Sequence, residues 1–115
     1  MLCLILDHLS SFLILKGAFM LESKFQARLI KKLKETYPDA FIKKTDPSDL
    51  KGFPDILILK DSKWALLECK KEKDAHKQPL QDYYVNKANE MSFARFIYPE
   101  NEEEVLHELQ QALES

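Results

Sequence analysis

Gly52-Phe53-Pro54-Asp55-Ile56-Leu57-Ile58-Leu59 and Trp64-Ala65-Leu66-Leu67-Glu68-Cys69-Lys70 are two apolar runs of strand length, separated by the polar Lys60-Asp61-Ser62-Lys63. This pattern predicts two neighbouring antiparallel strands joined as a hairpin. The first run opens on a carboxylate, Asp55, and the second closes on Glu68 and Lys70, two residues apart. Side chains alternate along a strand, so Glu68 and Lys70 share a face, Cys69 points to the other, and the hairpin brings Asp55 near the same end.

Two carboxylates and an ammonium gathered at the edge of an apolar sheet are costly unless something binds them. A divalent cation with oxygen ligands, Mg²⁺ or Mn²⁺, is the simplest resolution. Such a cation polarises a phosphodiester and lowers the pKa of a bound water, while Lys70 orients that water or steadies the developing negative charge. A Glu-x-Lys at a strand end is ordinarily only solvated. What distinguishes this one is the Gly-Phe-Pro-Asp turn opening the partner strand, with the spacing and apolar context to match.

Pro54-Asp55 followed by Glu68-Cys69-Lys70 resembles the signature of the PD-(D/E)XK nuclease superfamily, and the chain looks most like its small stand-alone VRR-NUC members, a phage-type, Holliday-junction-resolvase-like group. The resemblance runs from about Glu22 to the C-terminus. It implies an α/β fold with a restriction-endonuclease-like core, a small mixed sheet flanked by helices in the order α-β-β-β-α-β-α. It also implies Mg²⁺-dependent hydrolysis of DNA, with Mn²⁺ able to substitute and with branched or flap-containing DNA as candidate substrates. In that reading Asp55, Glu68 and the Cys69 backbone carbonyl hold the metal and Lys70 positions or activates the attacking water. A helical glutamate and a helical glutamine complete such sites; Glu22 and Gln81 are the matching positions, with Gln78 a near competitor of Gln81. For Glu22 the other reading is a first-turn glutamate favoured by the helix dipole. One site and little surface for a duplex suggest a homodimer that cuts both strands.

Two other classes compete. One is a non-catalytic nucleic-acid-binding or scaffolding domain that retains the fold, against which the intact set of Asp55, Glu68 and Lys70 argues. The other is a Mg²⁺-dependent phosphoesterase acting on nucleotides.

The chain has 115 residues, 45% of them hydrophobic and 31% charged, which suits one globular domain with a real core. Cys3 and Cys69 stand far apart without Cys/His ligand spacing, so zinc and a disulfide framework are both disfavoured. A net charge of -2 argues at first against a nucleic-acid partner. The distribution argues otherwise: lysines and Arg28 crowd the first helical stretch, further lysines surround the hairpin, and no Lys or Arg follows Arg95, where glutamates load the tail. The molecule is thus polarised, positive near the candidate site and negative at the far end. Lys43, Lys44, Lys51, Lys71, Lys73 and Lys77 are the candidate phosphate contacts.

Residues 1–19 are apolar but broken by Asp7 and His8, so neither a membrane span nor a signal peptide is expected, and a cytoplasmic protein is (host cytoplasm if phage-encoded). They read as an over-extended start or an extra helix, and residues 20–115 as the nuclease domain. Leu21, Phe25, Leu29, Ile30 and Leu33 predict a helix to Tyr37, stopped by Pro38. Residues 40–45 read as a strand and 46–52 as a loop in which Asp46 and Asp49 are turn residues. Pro79 suits the start of a helix to about Met91, with Leu80, Tyr83, Tyr84, Ala88 and Met91 inward. Its tyrosines read as core, and His76 as a loop residue. Residues 94–98 return as a strand, and Asn101 caps a last helix with Glu104 at the capping-box position.

Overall fold

The computed structural model describes residues 21–115; the reading of residues 1–19 as an added apolar segment, Cys3 included, lies outside the described residues. Residues 21–36 are helical (α1). Phe25, Leu29 and Leu33 recur at helical spacing and are buried, whereas Leu21 is exposed and does not extend the stripe. The last turn closes with Tyr37 N–H donating to the Leu33 carbonyl at 2.8 Å, and Pro38 ends the helix.

Four strands follow: β1 (Phe41–Lys44), β2 (Ile56–Lys60), β3 (Lys63–Cys69) and, after helix α2 (Pro79–Met91), β4 (Phe93–Ile97). A 3₁₀ turn at Pro99–Asn101 leads into α3 (Glu102–Glu114). The sheet order is β1-β2-β3-β4, antiparallel between the first two pairs and parallel between β3 and β4. This is the mixed sheet and the α-β-β-β-α-β-α order expected from the sequence. The β2–β3 connection is tighter than the four polar residues suggest, because Lys60 pairs with Lys63. Asp61 takes a φ of 56°, a left-handed conformation that aspartate tolerates better than most side chains.

Alternation along the strands splits the interior into two layers. Ile56 and Ile58 of β2 and Ala65, Leu67 and Cys69 of β3 pack with Phe25, Leu29 and Leu33 of α1 and with Val105, Leu109 and Leu113 of α3. On the opposite face Leu66 and Ala94 pack with Val85 and Ala88 of α2, and Leu57, Trp64 and Phe96 lean on them. The first layer is the larger, and it buries most of the fully enclosed side chains.

Helix α2 departs from expectation. Val85 and Ala88 are its buried residues and Tyr84 is half-buried, while Leu80, Tyr83 and Met91 are 44%, 57% and 68% exposed. The reason is lateral: α2 packs chiefly on β3 and β4, and among the described residues the flank carrying Leu80, Tyr83 and Met91 stays largely exposed. The capping of α3 also differs. Asn101 turns its side chain back, its Oδ1 accepting from Tyr98 N–H at 2.8 Å and its Nδ2 donating to the Phe96 carbonyl at 3.1 Å. It therefore secures the 3₁₀ turn, and no side-chain cap with Glu104 forms.

Among the described residues no helix is long and apolar enough to cross a membrane.

Candidate active site

The β2–β3 register pairs Ile56 with Leu67, so one further step sets Asp55 opposite Glu68. Asp55 is held there from both sides. Its Oδ2 accepts the Cys69 N–H at 2.9 Å, and its carbonyl accepts the Thr45 N–H at 2.8 Å. Thr45 also donates its hydroxyl to the Pro54 carbonyl at 2.7 Å, tying the end of β1 to the Pro54-Asp55 turn. Gly52 brings the preceding loop in close. Its φ of +84° suits glycine alone, and a Cβ there would stand 2.6 Å from Leu80 Cβ at the start of α2.

Glu68 and Lys70 share a face of β3, as alternation requires, and both are buried, at 2% and 5% exposure. Gln81, from the first turn of α2, joins them. Its Nε2 donates to Glu68 Oε1 at 3.1 Å, and its Oε1 accepts Lys70 Nζ at 2.7 Å. The same Oε1 accepts the Gln78 N–H at 3.1 Å, so of the two glutamines Gln81 is the one that contacts Glu68 and Lys70, and Gln78 steadies it through its backbone. Lys70 Nζ also donates to the His76 carbonyl at 3.2 Å. Sequence patterns carry no signal for that contact, since any residue supplies a carbonyl and only the path of the 71–78 loop aims this one.

Glu68 Oε2 is buried without a hydrogen-bond partner. Burial, then the neighbouring Asp55 charge, push the Glu68 carboxyl up to about 9, against the opposing pull of Lys70. Asp55 is likewise raised by burial, although the Cys69 N–H and Lys70 favour its charged form. Two carboxylates with raised affinity for protons and an unpartnered buried oxygen form a site short of positive charge. That deficit fits a hard divalent cation with oxygen ligands. Among the described residues no group of three or more His, Cys, Asp or Glu side chains is arranged for a metal, and the carboxylates that face each other across the hairpin are Asp55 and Glu68.

Glu22 reaches the same neighbourhood from α1. It lines a cleft of about 210 Å³ with Gln26, Lys44, Thr45, Pro47 and Asp55. Burial raises its carboxyl, while the charges of Lys70, Asp55 and Lys71 all act on it. Of the candidate phosphate contacts, Lys44 lines that cleft and Lys71 lies within the field of Glu22. Lys43 points to the other face of β1, opposite Leu57. Lys77 sits over the Phe96 ring at 4.3 Å, and Lys51 and Lys73 are exposed in loops with no contact to the carboxylates. Asp46 is a turn residue as expected, accepting Ser48 N–H at 2.9 Å and the Ser48 hydroxyl at 2.7 Å. Cys69 has no exposed surface, and burial pushes its thiol far up, so it is packing and not a nucleophile.

Comparison of the chain with known protein families, with curated proteins and with solved structures returned no match.

Proposed function

We propose that the chain is a metal-dependent nuclease of the PD-(D/E)XK type that hydrolyses DNA phosphodiester bonds. The observation that carries this reading is the Gln81 amide spanning two buried ionisable groups, Glu68 and Lys70, with Asp55 across the hairpin. A structural ion pair would be served by direct contact; here a neutral spacer holds the ammonium beside the carboxylates, leaving Glu68 Oε2 unpartnered. Asp55, Glu68 and the Cys69 carbonyl would hold Mg²⁺. The ion supplies charge neutralisation on the phosphodiester and a more acidic water.

The chain's own residues account for the rest. An ammonium has three N–H donors, and Lys70 spends two of them on Gln81 and the His76 carbonyl. The third remains for the attacking water or a phosphoryl oxygen, in a direction fixed by the other two. Glu22 on the far side of the cleft adds negative charge that a cation would offset, and Lys44 is placed for a phosphate. A homodimer acting on branched or flap-containing DNA is the finer form of the proposal.

The test is cleavage of labelled single strand, duplex, flap and four-way junction with Mg²⁺, Mn²⁺ or EDTA, for wild type beside Lys70→Ala. The expected result is metal-dependent cutting that falls by about 10²- to 10³-fold in the variant, the scale of removing one preorganised charge-stabilising donor. Binding without cutting under every condition would instead make this a nucleic-acid scaffold.

A further inference from the structure

The exposed flank of α2 overhangs a groove that the catalytic constellation does not use. The groove holds about 340 Å³ and is lined by Phe53, Leu57, Trp64, Tyr84 and Met91, with Lys87 the one charged side chain on its wall among the described residues. Its aromatic surface continues outward: Phe53 meets Tyr84 edge-on at 5.7 Å between centroids, and Tyr84 meets the exposed Tyr83 at 5.2 Å. The same residues tie it to the site. Phe53 stands two positions before Asp55, and Tyr84 follows Gln81 by about one helical turn.

We infer that this groove takes unpaired nucleobases of a DNA strand whose phosphates run past Asp55 and Glu68. The inference rests on the nuclease reading above and names its substrate class: DNA with a single-stranded segment beside the scissile bond. Aromatic faces accept any base, and the strand's phosphates need cations alongside. Lys87 supplies one from the wall, and Lys43 supplies another, because it pairs with Leu57 across β1–β2 and shares its face. A second copy of the chain suits the groove less well. A two-fold interface would bring the same patch, with its lysines, against itself, and lysine is depleted in the cores of protein interfaces.

Trp64, the chain's one tryptophan, lines the groove and reports on its occupancy. The experiment titrates the full chain in EDTA, where cutting is blocked, with oligo-dT about 12 nucleotides long or with a blunt duplex of equal length, following Trp64 fluorescence. The expected result is quenching by oligo-dT and little by duplex. Tyr83→Ser, at an exposed position, weakens oligo-dT binding about five- to tenfold, the worth of one base stack. Lys87→Gln lowers the salt dependence of binding by about one phosphate contact. Equal affinity for both DNAs without quenching overturns the inference. So does Trp64 emission that changes only with protein concentration as the mass doubles, or only when residues 1–19 are removed. Metal-dependent cutting without quenching sinks the groove and spares the nuclease reading; quenching without cutting does the reverse.

Discussion

Gln81 is the only side chain that hydrogen-bonds both Lys70 and Glu68 among the described residues, donating to one and accepting from the other. Its amide can satisfy both because its two ends differ: an ammonium offers only donors and a carboxylate only acceptors. Gln81→Ala should therefore unfasten both groups. The expected cost is about 1–2 kcal/mol in stability and about 10²-fold in cleavage rate from lost positioning. Gln81→Glu keeps the shape and sets a further carboxylate, beside Asp55, against Glu68. Like charges raise each other's pKa, so its pH–rate profile should move to higher pH than that of wild type. Thermal melts and a pH–rate series check both variants, and an unmoved profile for Gln81→Glu would refute the bridging role.

The raised Glu68 carboxyl makes the metal-free protein sensitive to alkali. Its folded-state pKa of about 9 lies above its ordinary value of 4.5, so folding takes up a proton between those limits. The stability this supplies is complete below about pH 4.5 and lost as pH rises toward 9. Within that window the slope is at most about 1.4 kcal/mol per pH unit for one proton. Denaturant melts in EDTA should show stability falling from pH 5 to pH 9, and Glu68→Gln should flatten the fall. Mg²⁺ competes with the same proton, so the Mg²⁺-induced rise in Tm should grow with pH in wild type and vanish in Glu68→Gln.

Gly52 couples the Asp55 loop to the helix that carries Gln81. Gly52→Ala meets two obstacles, a φ of +84° and a Cβ contact of 2.6 Å with Leu80 Cβ. The loop must move, and Asp55 with it. We expect a loss of about 1–3 kcal/mol in stability and a cleavage defect larger than that loss explains. Leu80→Ala removes only the atoms beyond Cβ and so should not rescue it, whereas Leu80→Gly removes the clash and should restore part of the activity.

Cys69→Ala tests whether the residue between Glu68 and Lys70 acts through its side chain. The thiol is enclosed in the core layer of α1 and α3, so truncation costs about 1–2 kcal/mol for the small cavity left. Cleavage should fall less than a few-fold, since the Cys69 N–H that holds Asp55 is unchanged. Cys69 should also resist a thiol reagent in the native state. A defect as deep as that of Lys70→Ala, with folding intact, would contradict this assignment.

What could be read from the chain alone rested on short-range rules. Period-two alternation is a local property of extended backbone, and it placed Glu68 and Lys70 on one face and Cys69 on the other before any packing was known. A short polar connection between two apolar runs implied the hairpin, and Asp55 followed at its open end. Apolar spacing and proline positions marked the helices and the element order for the same reason. Packing decided the remainder, because it depends on residues distant in sequence. The preference for Gln81 over Gln78 comes from where α2 lands on β3, and the proximity of Glu22 to Asp55 from where α1 crosses the sheet end. The expectation that Leu80, Tyr83 and Met91 face inward failed because helical periodicity locates an apolar stripe without saying how wide a surface lies beneath it. Burial of Glu68 and Lys70, and with it the charge deficit that defines the site, exists only once α2 closes over the end of β3.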